Sequence, residues 1–309
     1  MTIPTVEPGD GTLHGWFSRD YPPVLTVDPG ERVRFATLDC WWSAGPYKGG
    51  HIRDRARVPQ YVDGAGHALC GPVAVRGARP GDVLEVRVDR VRPGPYGTTF
   101  AGGRDSDHNR RYALVDEHAV LAWDLDPETM TGRNQYGHTV ALRPFLGVMG
   151  LPPAEPGEHS TIPPRWHGGN LDCKELVAGS TLYLPVTVDG ALFSLGDGHA
   201  AQGDGEVGGT AIECPMEEVE VTFGLRAGWE LTAPLADTPA GTLTLGLGST
   251  VDEATQVALE AMFGLLQRRF GVSRTEAVAL ASVAVDVRVT QIVNQTVGAH
   301  AVLPHGAVR

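Results

Sequence analysis

Two short segments carry the residue types that do chemistry. The first is GGNLD at 168–172, where two glycines let the backbone come close to another group and Asn170 and Asp172 offer polar oxygens two residues apart. In extended chain such side chains project to the same side. Alone, the pentapeptide reads as an ordinary Asn/Asp turn. The second segment is GDGHAAQGDGE at 196–206, which sets Asp197, His199, Gln202, Asp204 and Glu206 among four glycines and two alanines. Its large side chains are all hydrophilic, so it is no core strand, and it has few bulky neighbours for a plain surface loop. If extended, Asp197 shares a face with His199, and Asp204 with Glu206. Imidazole and carboxylate at that spacing suit zinc or a similar divalent ion, and a further carboxylate suits a general base. The plain competitor is a calcium-stabilised or merely Gly-rich turn. An EF-hand loop would need alternating oxygen ligands and a closing Glu at its twelfth position, which are lacking. Glu213, seven residues after Glu206 on an expected strand, gains weight only from this company.

Nucleophile chemistry finds less support. Ser194 sits in FSLGD without a GxSxG elbow. Cys173 directly follows Asp172 and could pair with His199 as base, but free cysteines mostly act as buried hydrophobes. GGHIRDR and AGGRDS lack the strand, lysine and helix context of a phosphate-binding loop.

These residues need a scaffold, and the pattern around them is β. VDPGERVRF at 27–35 and RPGDVLEVRV at 79–88 share a Pro-Gly turn, an acidic residue and an alternating strand. Segment 93–111 has no period and reads as a long loop bordering a site. TLYLPVTV, the Asp189-Gly190 dipeptide and ALFSLGD predict a β-hairpin. Residues 210–225 and 241–249 continue as strands. Helices are expected only near the end, where Thr250 with Glu253 and Ser273 with Glu276 form two capping boxes. The first helix should bury Val257, Ala258, Ala261, Met262, Leu265, Leu266 and Phe270. The second passes into the strand DVRVTQIV. The expected organisation is an N-terminal β lobe at 1–150, a motif-bearing β lobe at 151–235 and a strand-helix-helix-strand element at 236–309.

Composition narrows the partners. A formal charge of −12 repels phosphate backbones and anionic lipid surfaces, which argues against nucleic acid and membrane but not against a small neutral substrate. The four cysteines form no CxxC pair, which argues against a zinc finger and a dense disulfide framework. The N-terminus shows no secretory pattern and no run of 18 apolar residues occurs, so a reducing cytoplasm is the expected address. The alternating apolar C-terminal element points to a homo-oligomer, with a dimer first.

GGNLDCKEL followed by STLYLPVTVDGALFSLGDGHAAQGDGEVGGTAIE resembles the acetamidase/formamidase family of amide hydrolases. TLHGWFSRDYPPVLTVDPGERVRF, GHALCGPVAVRGARPGDVLEV, RPFLGVMGLPPA and LASVAVDVRVTQIVNQTVG extend the resemblance over nearly the whole chain. It implies a mostly β, jelly-roll-like sandwich with smaller αβ elements and a C-terminal helix pair. It also implies hydrolysis of a short, formamide- or acetamide-like amide to a carboxylate and ammonia. The family's acidic and histidine motif positions fall on Asp172, Asp197, His199, Gln202, Asp204, Glu206 and Glu213, with His67 and His14 as additions. On this reading a divalent metal, zinc before calcium, is held by His199, Asp172, Glu213, His67 and Asp197. Glu206, assisted by Asp204 and Gln202, acts as base, and Asn170 binds the oxyanion. Two alternatives stay open: a non-catalytic, calcium-stabilised ligand-binding jelly roll, and a metal-free amidase pairing Glu206 with Lys174.

Overall fold

The two Pro-Gly turns form as their residues require. Asp28 and Arg79 each accept a backbone hydrogen bond from three residues on, and Gly30 and Gly81 take the positive φ of the third turn position. The strands they start, Arg32–Thr37 and Val83–Pro93, flank the same long strand, Met216–Arg226, in antiparallel register. In Arg32–Thr37 burial alternates residue by residue, the signature of a strand with one wet face.

The computed structural model describes residues 2–309. A nine-stranded sheet runs from Thr5–Val6 through Arg32–Thr37, Met216–Arg226, Val83–Pro93, Thr181–Pro185, Leu235–Thr238, Gly241–Gly248 and Val297–Leu303 to Asp286–Gln291. It draws strands from 1–150, 151–235 and 236–309 alike. A six-stranded sheet is built on Gly168–Asn170, Phe145–Gly150, Phe193–His199 and Leu69–Val75, and a smaller four-stranded sheet includes Tyr96–Gly102 and His118–Asp126. The two large sheets share one apolar core, Phe35, Val86 and Phe223 from one against Val73, Met149 and Phe193 from the other. Phe193 and Phe223 meet edge-on across it with ring centroids 5.3 Å apart. The expected mostly-β sandwich with a C-terminal helix pair is therefore what the chain adopts. No helix among the described residues is long and apolar enough to cross a membrane.

Four local expectations need correction. The Asp189-Gly190 turn does not close a hairpin: Thr181–Pro185 lies in the nine-stranded sheet and Phe193–His199 in the six-stranded one. Gly190, Ala191 and Leu192 all have positive φ and carry the chain from one layer to the other. The expected loop at 93–111 holds the strand Tyr96–Gly102 and a short helix, Asp107–Arg111, capped by Ser106. The first C-terminal helix, Val251–Phe270, buries the i, i+4 row Ala254, Ala258, Met262 and Leu266, while Val257 stays 43% exposed. That row is narrow because the helix lies almost on the sheet backbone: a Cβ at Gly246 would sit 2.0 Å from the Ala254 carbonyl oxygen. Only Ser273 forms a reciprocal capping box; Thr250 caps Glu253, whose carboxylate reaches past it to Ser249.

Candidate active site

The site forms where strand Phe145–Gly150 pairs with Phe193–His199 and a glycine faces the motif. A Cβ at Gly147 would lie 2.3 Å from Asp197 Oδ2, 2.5 Å from Asp172 Oδ1 and 2.8 Å from His199 Cε1. Gly147 thus leaves the space in which these three side chains meet. The backbone is not extended there, as sequence spacing suggested: Asp172, Asp197 and Glu206 have φ of 46°, 57° and 46°. Non-glycine residues in that region cost on the order of 1 kcal/mol or more each, and such outliers concentrate at functional sites.

His199 is the hub. Gln202 donates its side-chain N–H to the Asp172 carbonyl oxygen at 2.8 Å, which turns its own oxygen towards His199 Nδ1, 2.9 Å away. Nδ1 therefore carries the proton in this arrangement. On the other side of the ring, Nε2 lies 3.0 Å from Glu213 Oε2 and 3.4 Å from Asp197 Oδ1. A bare lone pair facing two carboxylates repels them, so a proton or a cation belongs there. Asp172 Oδ1 approaches Nδ1 to 3.8 Å. Glu213 reaches the ring because it is bridged to His199 in antiparallel register, and its second oxygen accepts the Ala211 N–H at 2.9 Å.

Among the described residues, Asp172 Oδ1, His199 Nε2 and Glu213 Oε2 are buried without a hydrogen-bond partner. Such groups normally cost about 1–3 kcal/mol each. A proton on Nε2 would pair it with Glu213 Oε2 at 3.0 Å and leave Asp172 Oδ1 alone, whereas a cation would serve all three. Two tight donor groups surround the ring, Asp172 with His199 and Glu206, and Cys40 with Asp197 and Glu213, the donor atoms of each lying within 4.8 Å of one another. A nitrogen and several carboxylate oxygens are a donor set that fits a divalent cation.

The electrostatics agree. Burial drives the Asp172 carboxyl up to about 7, with His199 opposing and Asp197 and Glu213 adding to the rise. Burial, then the Asp172 charge, holds Glu206 well above the carboxylate range, and burial also raises Glu213. Asp197 is the exception: burial would raise it, but His199 and His67 keep it low. His199 is pulled down by burial and held well above its ordinary value by Glu213 and Asp197.

The remaining candidates sort by location. His67 is tied by Nδ1 to Thr161 Oγ1 at 2.8 Å; it feels Asp197 but joins neither donor group. Asn170 donates to the Ile162 carbonyl oxygen at 3.0 Å, and its own Oδ1 is buried and unpartnered. It lies opposite Val148, on the row that packs against Phe17, and not in the cluster. Asp204 is not brought in either: it is exposed and pairs with Lys174 Nζ at 3.0 Å, which also occupies the lysine. His14 spends both ring nitrogens elsewhere, on the Trp16 carbonyl and the Ser194 hydroxyl. Cys173 is a core residue whose thiol burial pushes up to about 12, which removes it as a nucleophile.

Two participants were not expected from sequence. Cys40 joins the second donor group from TLDCWW, a stretch with no metal-ligand spacing. Asn294 donates its side-chain N–H to Asp172 Oδ2 from the far end of the chain. The Gln291 side-chain oxygen shapes that segment by accepting the Val293 and Asn294 N–H groups. The same stretch holds the motif loop, since Gly205 N–H donates to the Thr290 carbonyl and Ile292 N–H to the Gly205 carbonyl.

A family model described as the Acetamidase/Formamidase family matches residues 5–159 and 154–234. A formamidase of Methylophilus methylotrophus is 28% identical over 249 residues, which covers 64% of this chain and 60% of that protein. The chain spans about that share, 59–61%, of each of the curated relatives it matches. The crystal structure of an acetamidase from Bacillus halodurans superimposes with a TM-score of 0.86 at 27% identity, over 97% of both chains. An acetamidase structure from Yersinia enterocolitica gives 0.86 at 26%, over 100% of this chain and 94% of that one.

Proposed function

This chain belongs to the acetamidase/formamidase family, and on that premise we propose that it hydrolyses a linear amide to a carboxylate and ammonia with the help of a divalent cation. The observation that carries the cation is the trio of buried, unpartnered atoms on Asp172, His199 and Glu213. Asp172, His199 and Glu206 make one donor group and Asp197, Glu213 and Cys40 the other; of these, Asp172, His199, Glu213 and Asp197 would hold the cation. Imidazole and thiol in the set favour zinc over calcium, which takes oxygen ligands alone. Bound there, it would polarise the amide carbonyl and make water a better nucleophile near neutral pH.

The chain's own residues do the rest. Glu206 has a raised proton affinity, which suits a base that takes a proton from the attacking water and delivers it to the departing nitrogen. The water oxygen bonds to the carbonyl carbon, the C–N bond breaks, and nitrogen leaves as ammonia. Gln202 fixes the His199 tautomer and Asn294 orients Asp172, the outer contacts that hold such ligands in place. Self-association belongs to the same proposal: Asp286–Gln291 is an edge strand, and Val287 on it and Val283 just before it stay exposed. Light scattering at the 32.8 kDa of a single chain would remove that part.

The test of the activity is elemental analysis of the purified protein together with ammonia release from a panel of amides. A stoichiometric divalent metal and chelator-sensitive ammonia release are expected, and His199→Ala should abolish both. Full activity in a metal-free sample would overturn the cation.

A further inference from the structure

Glu206 and Gln202 are reached from a cleft of about 380 Å³. Its other walls are apolar: Phe100, Trp123, Val140 and Ile212 line it and Val207 stands at the rim. The polar groups near these walls are already satisfied. Trp123 donates its indole N–H to Thr99 Oγ1 at 3.1 Å, and that hydroxyl donates to the Ala211 carbonyl at 2.6 Å. The Phe100 N–H and carbonyl are both held by the Thr210 hydroxyl. The charged side chains of the lining, Asp204 and Glu206, are both acidic. The cleft therefore sets apolar surface beside the polar groups of Glu206 and Gln202, and it disfavours an anionic guest.

We propose that the amide taken by this site carries a neutral, apolar acyl group larger than acetyl, branched or aromatic, seated against Trp123, Phe100, Val140 and Ile212. The proposal rests on the amidase reading and narrows it away from formamide and acetamide. A formyl or acetyl group has at most one methyl to place in a cleft of about 380 Å³ and would leave the apolar walls wet. Each methylene moved from water onto such walls is worth roughly four-fold in affinity. Gains of that kind appear in kcat/KM when the group is held through the transition state.

The metal-replete protein is assayed for ammonia release from formamide, acetamide, butanamide, phenylacetamide and the anionic succinamate. Expected is a rise of roughly four-fold per carbon, phenylacetamide at least ten-fold above acetamide, and succinamate below butanamide. Val140→Trp, which fills the cleft from its apolar wall, should cut the phenylacetamide-to-acetamide ratio at least ten-fold. On the unmodified protein, phenylacetate should inhibit at a concentration at least ten-fold below that of acetate. Acetamide turned over as well as phenylacetamide, with equal inhibition by the two acids, overturns the acyl assignment and leaves amide hydrolysis standing. Silence across the whole panel overturns both.

Discussion

Two of the places where the fold buries acidic groups treat them in opposite ways. Glu175 is 1% exposed, and each of its carboxylate oxygens accepts a hydrogen bond from an arginine, Arg143 on one side and Arg288 on the other. Burial would raise that carboxyl, yet the arginines hold it below its ordinary value. At the cluster around His199, Asp172, Glu206 and Glu213 are also buried, no arginine among the described residues is hydrogen-bonded to any of them, and their proton affinities rise. Arginine pairing was thus within the reach of this chain and, among the described residues, is absent where the motif converges. A buried ion pair completed by hydrogen bonds is a structural device. A buried carboxylate group left incomplete is a binding device.

The sharpest way to break this contrast is Glu206→Gln. It keeps shape and removes the proton acceptor, so ammonia release should fall by about 10²–10⁴. Glu206 also stands in the donor group of Asp172 and His199, so metal is quantified in the same sample. A loss of metal in step with activity would make Glu206 a ligand and not the base. An unchanged rate would move the base elsewhere. On the structural side, Glu175→Gln leaves two arginine heads facing a neutral amide. Both arginines are partly exposed and can turn to water, so stability should drop by about 1–2 kcal/mol in urea unfolding, with metal content per folded chain unchanged. Loss of metal in that variant would erase the distinction between the two regions.

Much of the first region was legible from local pattern, and the reason is specific. Asp172, Asp197, His199, Gln202, Glu206 and Glu213 lie on two short stretches whose glycines permit tight backbone, so their types and spacing already imply convergence. The Pro-Gly turns and the Ser273 capping box were legible for the same reason: their hydrogen bonds close within three or four residues. What stayed hidden depends on closure over long distance. Asn294 meets Asp172 across 122 residues, and Cys40 comes from the other end of the chain. Asp189-Gly190 misled because a turn dipeptide specifies a reversal and not which sheet receives the next strand. Asp204, in the middle of the motif, was drawn outwards by Lys174, a partner whose position only the fold decides.

Asn294 offers a finer test, because it touches the site only through Asp172. Asn294→Ala should weaken metal affinity and kcat/KM by about 10–100-fold, the usual effect of losing an outer contact to a ligand, and Asn294→Asp should not rescue it, since a second carboxylate would repel Asp172. Full rescue by the aspartate would show that the contact needs only a polar side chain and that its donor character is irrelevant.

The smallest expected effect uses two histidines that the two regions shift in opposite directions. His199 is held well above its ordinary value by its carboxylates, whereas His300, under the electrostatic influence of Glu175, Arg288 and Asp204, is lowered to about 4, first by burial. Its Nδ1 lies 2.7 Å from the Thr290 hydroxyl and its Nε2 is buried without a partner, so the folded state favours the neutral ring. The unfolded chain binds the proton first as pH falls below the ordinary value of 6.5. His300 therefore supports stability fully above pH 6.5 and loses that support as pH falls towards 4, by about 1–2 kcal/mol between pH 6.5 and 5. His300→Gln should remove this part of the acid dependence, seen as urea midpoints that fall less steeply between pH 6.5 and 5 than in the parent chain. Parallel pH curves for the two proteins would mean that His300 titrates as an ordinary imidazole, and that the region around Glu175 is wetter than its buried carboxylate implies.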